Sequence, residues 1–103
     1  MRSIIILVLL APAVFAQTAT LRGLVTDESG ALVPGAKVTL VSPDGIGKTA
    51  VADGQGRYSF APLPPGNYTV AATAPDLATP QPAKILLKAG PQTLNLQLKV
   101  AST

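Results

Sequence analysis

Few side chains in this chain can do chemistry, and their kinds narrow the reactions open to it. There is no histidine, cysteine or tryptophan among its 103 residues. A His-assisted nucleophile, a cysteine nucleophile, a thiolate or imidazole metal site and a disulfide are therefore all excluded. Hydroxyls, amines and carboxylates remain. Ser29, Ser42 or Ser59 could form a Ser–Lys pair, but no surrounding sequence would activate any of them, and all three read as turn or surface hydroxyls. Asp27 and Glu28 sit in one stretch, Asp44 and Asp53 in two others. Calcium needs about 6–8 oxygen ligands, so these could hold it only if the loops converged, and each is where a turn favours Asp anyway. Sugar stacking wants exposed aromatics, but Tyr58, Phe60 and Tyr68 alternate with the apolar face. Asn67-Tyr68-Thr69 fits a glycosylation sequon, which matters only in a eukaryotic secretory route and is read here as the start of a strand. The formal charge is +3, and the basic residues are scattered without aromatic interleaving, which leaves no nucleic-acid footprint. No catalytic, cofactor-binding or metal residue is assigned.

The elements that would position these groups begin after an address. Met1-Arg2-Ser3 is basic, Ile4 to Leu10 is an unbroken aliphatic run, and Val14-x-Ala16 supplies the small residues a signal peptidase requires. Residues 1–16 are therefore expected to be a signal peptide, cleaved before Gln17. The run is too short for a bilayer span of about 20 residues and is interrupted by Pro12, so no transmembrane segment is expected after cleavage. No cysteine follows that could carry a lipid anchor.

Beyond Gln17 the chain is punctuated by Gly, Pro, Asp and Asn every eight to ten residues, with side chains alternating between. Seven strands are expected, over residues 18–26, 36–42, 48–52, 57–61, 67–73, 83–89 and 94–100. Pro62 to Gly66 reads as a crossing loop, because proline donates no ladder hydrogen bond. It is also a candidate polyproline docking ridge. The expected inward set is Leu21, Val25, Val38, Leu40, Tyr58, Phe60, Tyr68, Val70, Ile85, Leu87, Leu94, Leu96, Leu98 and Val100. No helical stripe appears outside the first sixteen residues. The reading is an all-β sandwich of about seven strands occupying residues 17–103.

Two stretches carry a family resemblance. Leu21-Arg22-Gly23-Leu24-Val25-Thr26-Asp27 followed by Gly30-Ala31-Leu32-Val33-Pro34-Gly35-Ala36-Lys37-Val38 resembles the opening of carboxypeptidase regulatory-like domains. Asp53-Gly54-Gln55-Gly56-Arg57-Tyr58-Ser59-Phe60 with Leu63-Pro64-Pro65-Gly66-Asn67-Tyr68-Thr69-Val70 resembles that family's middle. The resemblance implies a transthyretin-like (prealbumin-like) Greek-key sandwich. Such domains are appendages of metallocarboxypeptidases, TonB-dependent outer-membrane proteins and bacterial surface proteins. Here no such neighbour follows, so the chain is expected to stand free or to derive from a longer one.

Related sandwiches sharpen two exclusions. A transthyretin-like family that hydrolyses hydroxyisourate uses histidines and a C-terminal Tyr-Arg-Gly-Ser, neither of which occurs here. Collagen-adhesin B-type domains form Lys–Asn isopeptides with an acidic helper. Lys37 and Asn95 invite that comparison, but both alternate outward, and no acidic residue falls within an expected strand. The functional expectation is a non-catalytic exported module, periplasmic or extracellular in a bacterium, that contacts a protein or a cell-envelope component. The alternatives are a transthyretin-like small-ligand carrier and an accessory subunit of a separately encoded peptidase or outer-membrane transporter.

Overall fold

The computed structural model describes residues 17–101. The expected signal segment, residues 1–16, lies outside them. The described chain is all β, in nine strands: β1 (Ala19–Asp27), β2 (Lys37–Val41), β3 (Gly47–Val51), β4 (Arg57–Leu63), β5 (Gly66–Ala74), β6 (Leu77–Ala78), β7 (Ala83–Leu87), β8 (Gly90–Thr93) and β9 (Leu96–Val100). Two layers form. In one, β2 lies between β3 and β5, and β7 pairs with the far side of β5, all antiparallel. In the other, β1 pairs antiparallel with β4 and parallel with β8 and then β9. The two-residue β6 pairs with both β5 and β9, joining the layers along that side. The sheet path therefore ends at β3 and at β4. A turn at Asp53–Gly56 connects those two edge strands, which face each other across an open seam.

Period-two alternation sets the core. Leu21, Val25, Val38, Leu40, Tyr58, Phe60, Tyr68, Val70, Leu87, Leu96 and Leu98 are buried, and Ile85 and Leu94 pack against them. Tyr58 and Phe60 meet edge to face, with ring centroids 6.0 Å apart. Val100 corrects the expected inward set, being 73 % exposed. Its strand pairs with the short β6 there, so no opposing layer reaches over it. Leu63 is buried despite lying in the expected crossing loop. Between the pairs Leu21↔Phe60 and Ala19↔Leu63, β1 advances two residues and β4 three. This bulge takes up Pro62, the residue with no N–H to pair, and returns Leu63 to the core.

The expected last strand starts late, at Leu96, and residues 90–93, expected to lie between strands, form β8; the break between the two has a physical reason. A Cβ on Gly23 would lie 1.9 Å from the Leu94 carbonyl oxygen, so the chain between β8 and β9 crosses β1 over the one residue with no side chain. That carbonyl, turned toward the core, accepts a hydrogen bond from the Tyr58 hydroxyl. It is thereby lost to the ladder, and the Leu24 N–H donates to Asn95 Oδ1 instead, at 3.0 Å. The Leu94 N–H still donates to the Arg22 carbonyl at 2.9 Å. The Leu94 carbonyl, the Leu94 N–H and the Leu24 N–H thus all find partners at the crossing, as burial requires.

Gly23→Ala is expected to destabilise the fold by about 3 kcal/mol or more, since backbone rather than a flexible side chain must yield. Chemical denaturation measures this, and an unchanged midpoint would refute the close crossing. Burial also raises the Tyr58 phenol from 10.0 to about 12. The fold thus favours the neutral phenol, and the stability linked to it is whole below about pH 10 and drains away as pH climbs toward 12. A denaturation midpoint followed across that window should fall in the native protein and decline less steeply in Tyr58→Phe.

Candidate functional site

The carboxylates singled out above each close a local turn. Asp27 Oδ1 accepts from the Ser29 N–H at 2.9 Å, the Ser29 hydroxyl at 2.6 Å and the Ala31 N–H at 3.0 Å. Asp44 Oδ1 accepts from the Ser42 hydroxyl and from the Ile46 N–H at 3.2 Å. Asp53 Oδ1 accepts from the Gln55 N–H at 2.8 Å and the Arg57 N–H at 2.9 Å. These are Asx turns, in which a short side chain substitutes for a backbone acceptor. The donors favour the ionised form and hold all three carboxyls below the usual value. For Asp27 and Asp44 the serine hydroxyl contributes most; for Asp53 it is the Arg57 N–H.

Geometry also separates these groups. The Val25 N–H donates to the Gly56 carbonyl at 2.8 Å, and Leu32 packs against Gly56, so the Asp27 and Asp53 turns share one end of the sandwich. The Asp44 turn caps the other end, beside Pro64 and Pro65. Among the described residues no three acidic side chains come together in a way that could hold a metal ion. Ser29 and Ser42 are the partners of Asp27 and Asp44, and neither hydroxyl is hydrogen-bonded to a lysine. Ser59 is exposed on β4.

Lys37 is exposed on β2, between Val51 and Thr73 of the neighbouring strands. Asn95 lies in the β8–β9 link of the other layer, not within a strand, and its oxygen is committed to Leu24. The expectation that no acidic residue falls within a strand needs correction, since β1 runs on to Asp27. That carboxylate, however, is engaged by Ser29 and Ala31. Asn67 is exposed near the start of β5, opposite Leu86 of β7.

Two clefts have the size of binding sites. One, of about 500 Å³, is mostly apolar and lies where the Pro43–Ile46 turn meets Pro64 and Pro65, with Leu40, Leu63 and Tyr68 beneath. Ile46 stands 64 % exposed on its rim. The Tyr68 hydroxyl donates to the Pro64 carbonyl at 2.5 Å and fixes the proline corner over the ring. The expected proline ridge is thus reduced to this two-residue corner, because Pro62 belongs to β4. The second cleft, of about 790 Å³, runs along the β3–β4 seam and is lined by Arg22, Arg57, Ser59, Thr93 and Asn95, with Ala50 and Val51 on its β3 side. Alternation places Arg22, Arg57, Ser59 and Thr93 outward. That they converge depends on which strands end the sheet, which has no local signature.

Comparison with known proteins places the fold. The family model described as carboxypeptidase regulatory-like domain matches residues 20–99. No curated protein matches the chain in sequence. Among solved structures, the Bacillus anthracis TIE protein is similar over 82 % of this chain and 17 % of its own, at 17 % identity and a TM-score of 0.69. BcpA, the major pilin subunit of Bacillus cereus, is similar over 82 % of this chain and 31 % of its own, at 16 % identity and a TM-score of 0.67. Chlorocatechol 1,2-dioxygenase from Pseudomonas putida is similar over 81 % of this chain and 60 % of its own, at 13 % identity and a TM-score of 0.62. The chain thus spans less than two thirds of each of these proteins, and at such identities the likeness is one of fold.

With Asn95 engaged and Lys37 on the other layer, no Lys–Asn bond is expected. The intact mass should equal that of the sequence after any N-terminal processing. Loss of one ammonia would show the cross-link.

Proposed function

Because the chain belongs to the carboxypeptidase regulatory-like domain family, we propose that it is a non-catalytic exported module acting through surface contacts with a protein or a cell-envelope component. The observation that carries this reading is the commitment of its reactive groups. Asp27, Asp44 and Asp53, with Ser29 and Ser42, are taken up by the hydrogen bonds of their own turns. The carboxylates that the Ser29 and Ser42 hydroxyls meet are held below the ordinary carboxylate range by their turn donors, which makes them weak bases for activating a nucleophile. Export rests on the order of charge, apolar run and small residues in 1–16, and implies periplasm or medium as the destination. Likeness to part of a major pilin subunit, at 16 % identity, extends to the fold and is consistent with a module of this kind. Likeness to a dioxygenase at 13 % identity extends to the fold and carries no reaction with it.

The apolar cleft beside Pro64 and Pro65 is the surface best suited to a protein contact. Its rim exposes Ile46, while Tyr68 and the proline corner are held rigidly, which lowers the entropy lost on docking. Purified protein should show no turnover of peptide, ester or ureide substrates, and reproducible turnover would overturn the reading. In pull-downs from envelope extract, Ile46→Asp should abolish a partner captured by the native protein, with a stability change within about 0.5 kcal/mol. Sedimentation should return a monomer or weak oligomer, whereas a stable tetramer with a central channel would favour a small-ligand carrier.

A further inference from the structure

We propose that the cleft along the β3–β4 seam binds a tetrahedral oxyanion, the phosphate or sulfate group of an ester, between Arg22 and Arg57. This goes beyond the contact role above and uses a different face of the molecule. Register places the groups. Arg22 of β1 lies opposite Ser59 of β4 on one side and Thr93 of β8 on the other. Leu24, two residues on, lies opposite Arg57. The two arginines are therefore diagonal neighbours across one strand pair, a spacing of about 7–8 Å. Both are exposed and both line the same cleft. Like charges at that spacing repel, and an anion between them turns the repulsion into attraction.

The chemistry of the donors selects the anion. Each guanidinium presents a planar fork that suits two oxygens of one group. A carboxylate offers only two oxygens in one plane, so a second fork must share the oxygens the first already uses. A tetrahedral oxyanion has oxygens for both forks and for the flanking hydroxyls of Ser59 and Thr93. The cleft, at about 790 Å³, is far larger than an inorganic ion, and Ala50 and Val51 form an apolar wall for the remainder of an ester. Asp53 also lines it, but its Oδ1 is engaged by the N–H groups of Gln55 and Arg57. Its charge opposes the anion and partly offsets that of Arg57, with no ion pair formed between the two side chains.

The test is a titration of the isotopically labelled, purified protein, followed by amide shifts at constant ionic strength. The probes are glucose 6-phosphate, glucose 6-sulfate, glucuronate and glucose. Saturating shifts centred on Arg22, Ser59 and Thr93 are expected with one or both esters, and the pair of esters separates the phosphate source from the sulfate source. Glucose should give none, and glucuronate weaker binding. Arg22→Gln and Arg57→Gln should each weaken ester binding about tenfold. Asp53→Asn, which keeps the Oδ1 acceptor of the turn, should tighten it about twofold. Lys84→Gln on β7 and Ile46→Asp should change nothing, so failure here is distinguishable from failure of the contact role. Dispersed spectra from each variant establish that the exposed substitutions leave the fold intact. Absence of saturation with both esters, equal binding of glucuronate, or undiminished shifts in the double arginine variant would overturn the proposal.

Discussion

The close passage of the Leu94 carbonyl over Gly23 is the constraint on which the second layer depends. A straight final strand would give Leu94 to the ladder of β1. Instead the chain dips inward there, and three groups reorganise around it. Gly23 supplies the room, Tyr58 supplies a donor for the displaced carbonyl, and Asn95 supplies an acceptor for the amide that lost it. The dip lets one stretch of chain pair with β1 as β8, resume as β9, and then reach β6 of the other layer. The arrangement also explains why a tyrosine fills a position where phenylalanine would pack as well, since only the hydroxyl satisfies a carbonyl removed from water.

Much of the fold could be read from alternation. Leu96 and Leu98 inside against Gln97 and Lys99 outside is a pattern that admits one orientation of β9, and it is the one found. The turns were equally legible, since Asp-x-x-Gly at Asp27 and Asp53 encodes an acceptor and a residue free to take positive φ, as Gly30 and Gly56 do. What alternation could not reveal was non-local. The break between β8 and β9 needs Gly23, some seventy residues earlier in the sequence, to be its neighbour. Leu63 was hidden by the prolines around it, because a bulge that absorbs Pro62 depends on the register with Ala19. Val100 continues the inward pattern after the opposing layer has ended.

The candidate surfaces divide in the same way. That Asp27, Asp44 and Asp53 are turn formers was visible in their neighbours, and the structure gives each the donors that role requires. The meeting of Arg22 with Arg57 was not visible, because thirty-five residues and an excursion through β2 and β3 of the other layer separate them in sequence, and only the β1–β4 register makes them diagonal neighbours. Binding surface in this molecule is thus a product of strand order. The polar face arises at the seam where the sheet stays open, and the apolar one where two tight turns crowd together over Tyr68.

The bulged proline of β4 has a consequence for life in a crowd. An unpaired strand offers its backbone to any passing copy, and stacking of such borders is the route to fibrils. Pro62 interrupts that border with a residue that has nothing to donate and a kink that spoils the fit. On the opposite border, β3 presents the charged end of Lys48. The molecule can therefore keep its seam open to solvent at high local concentration without inviting its own kind to polymerise along it.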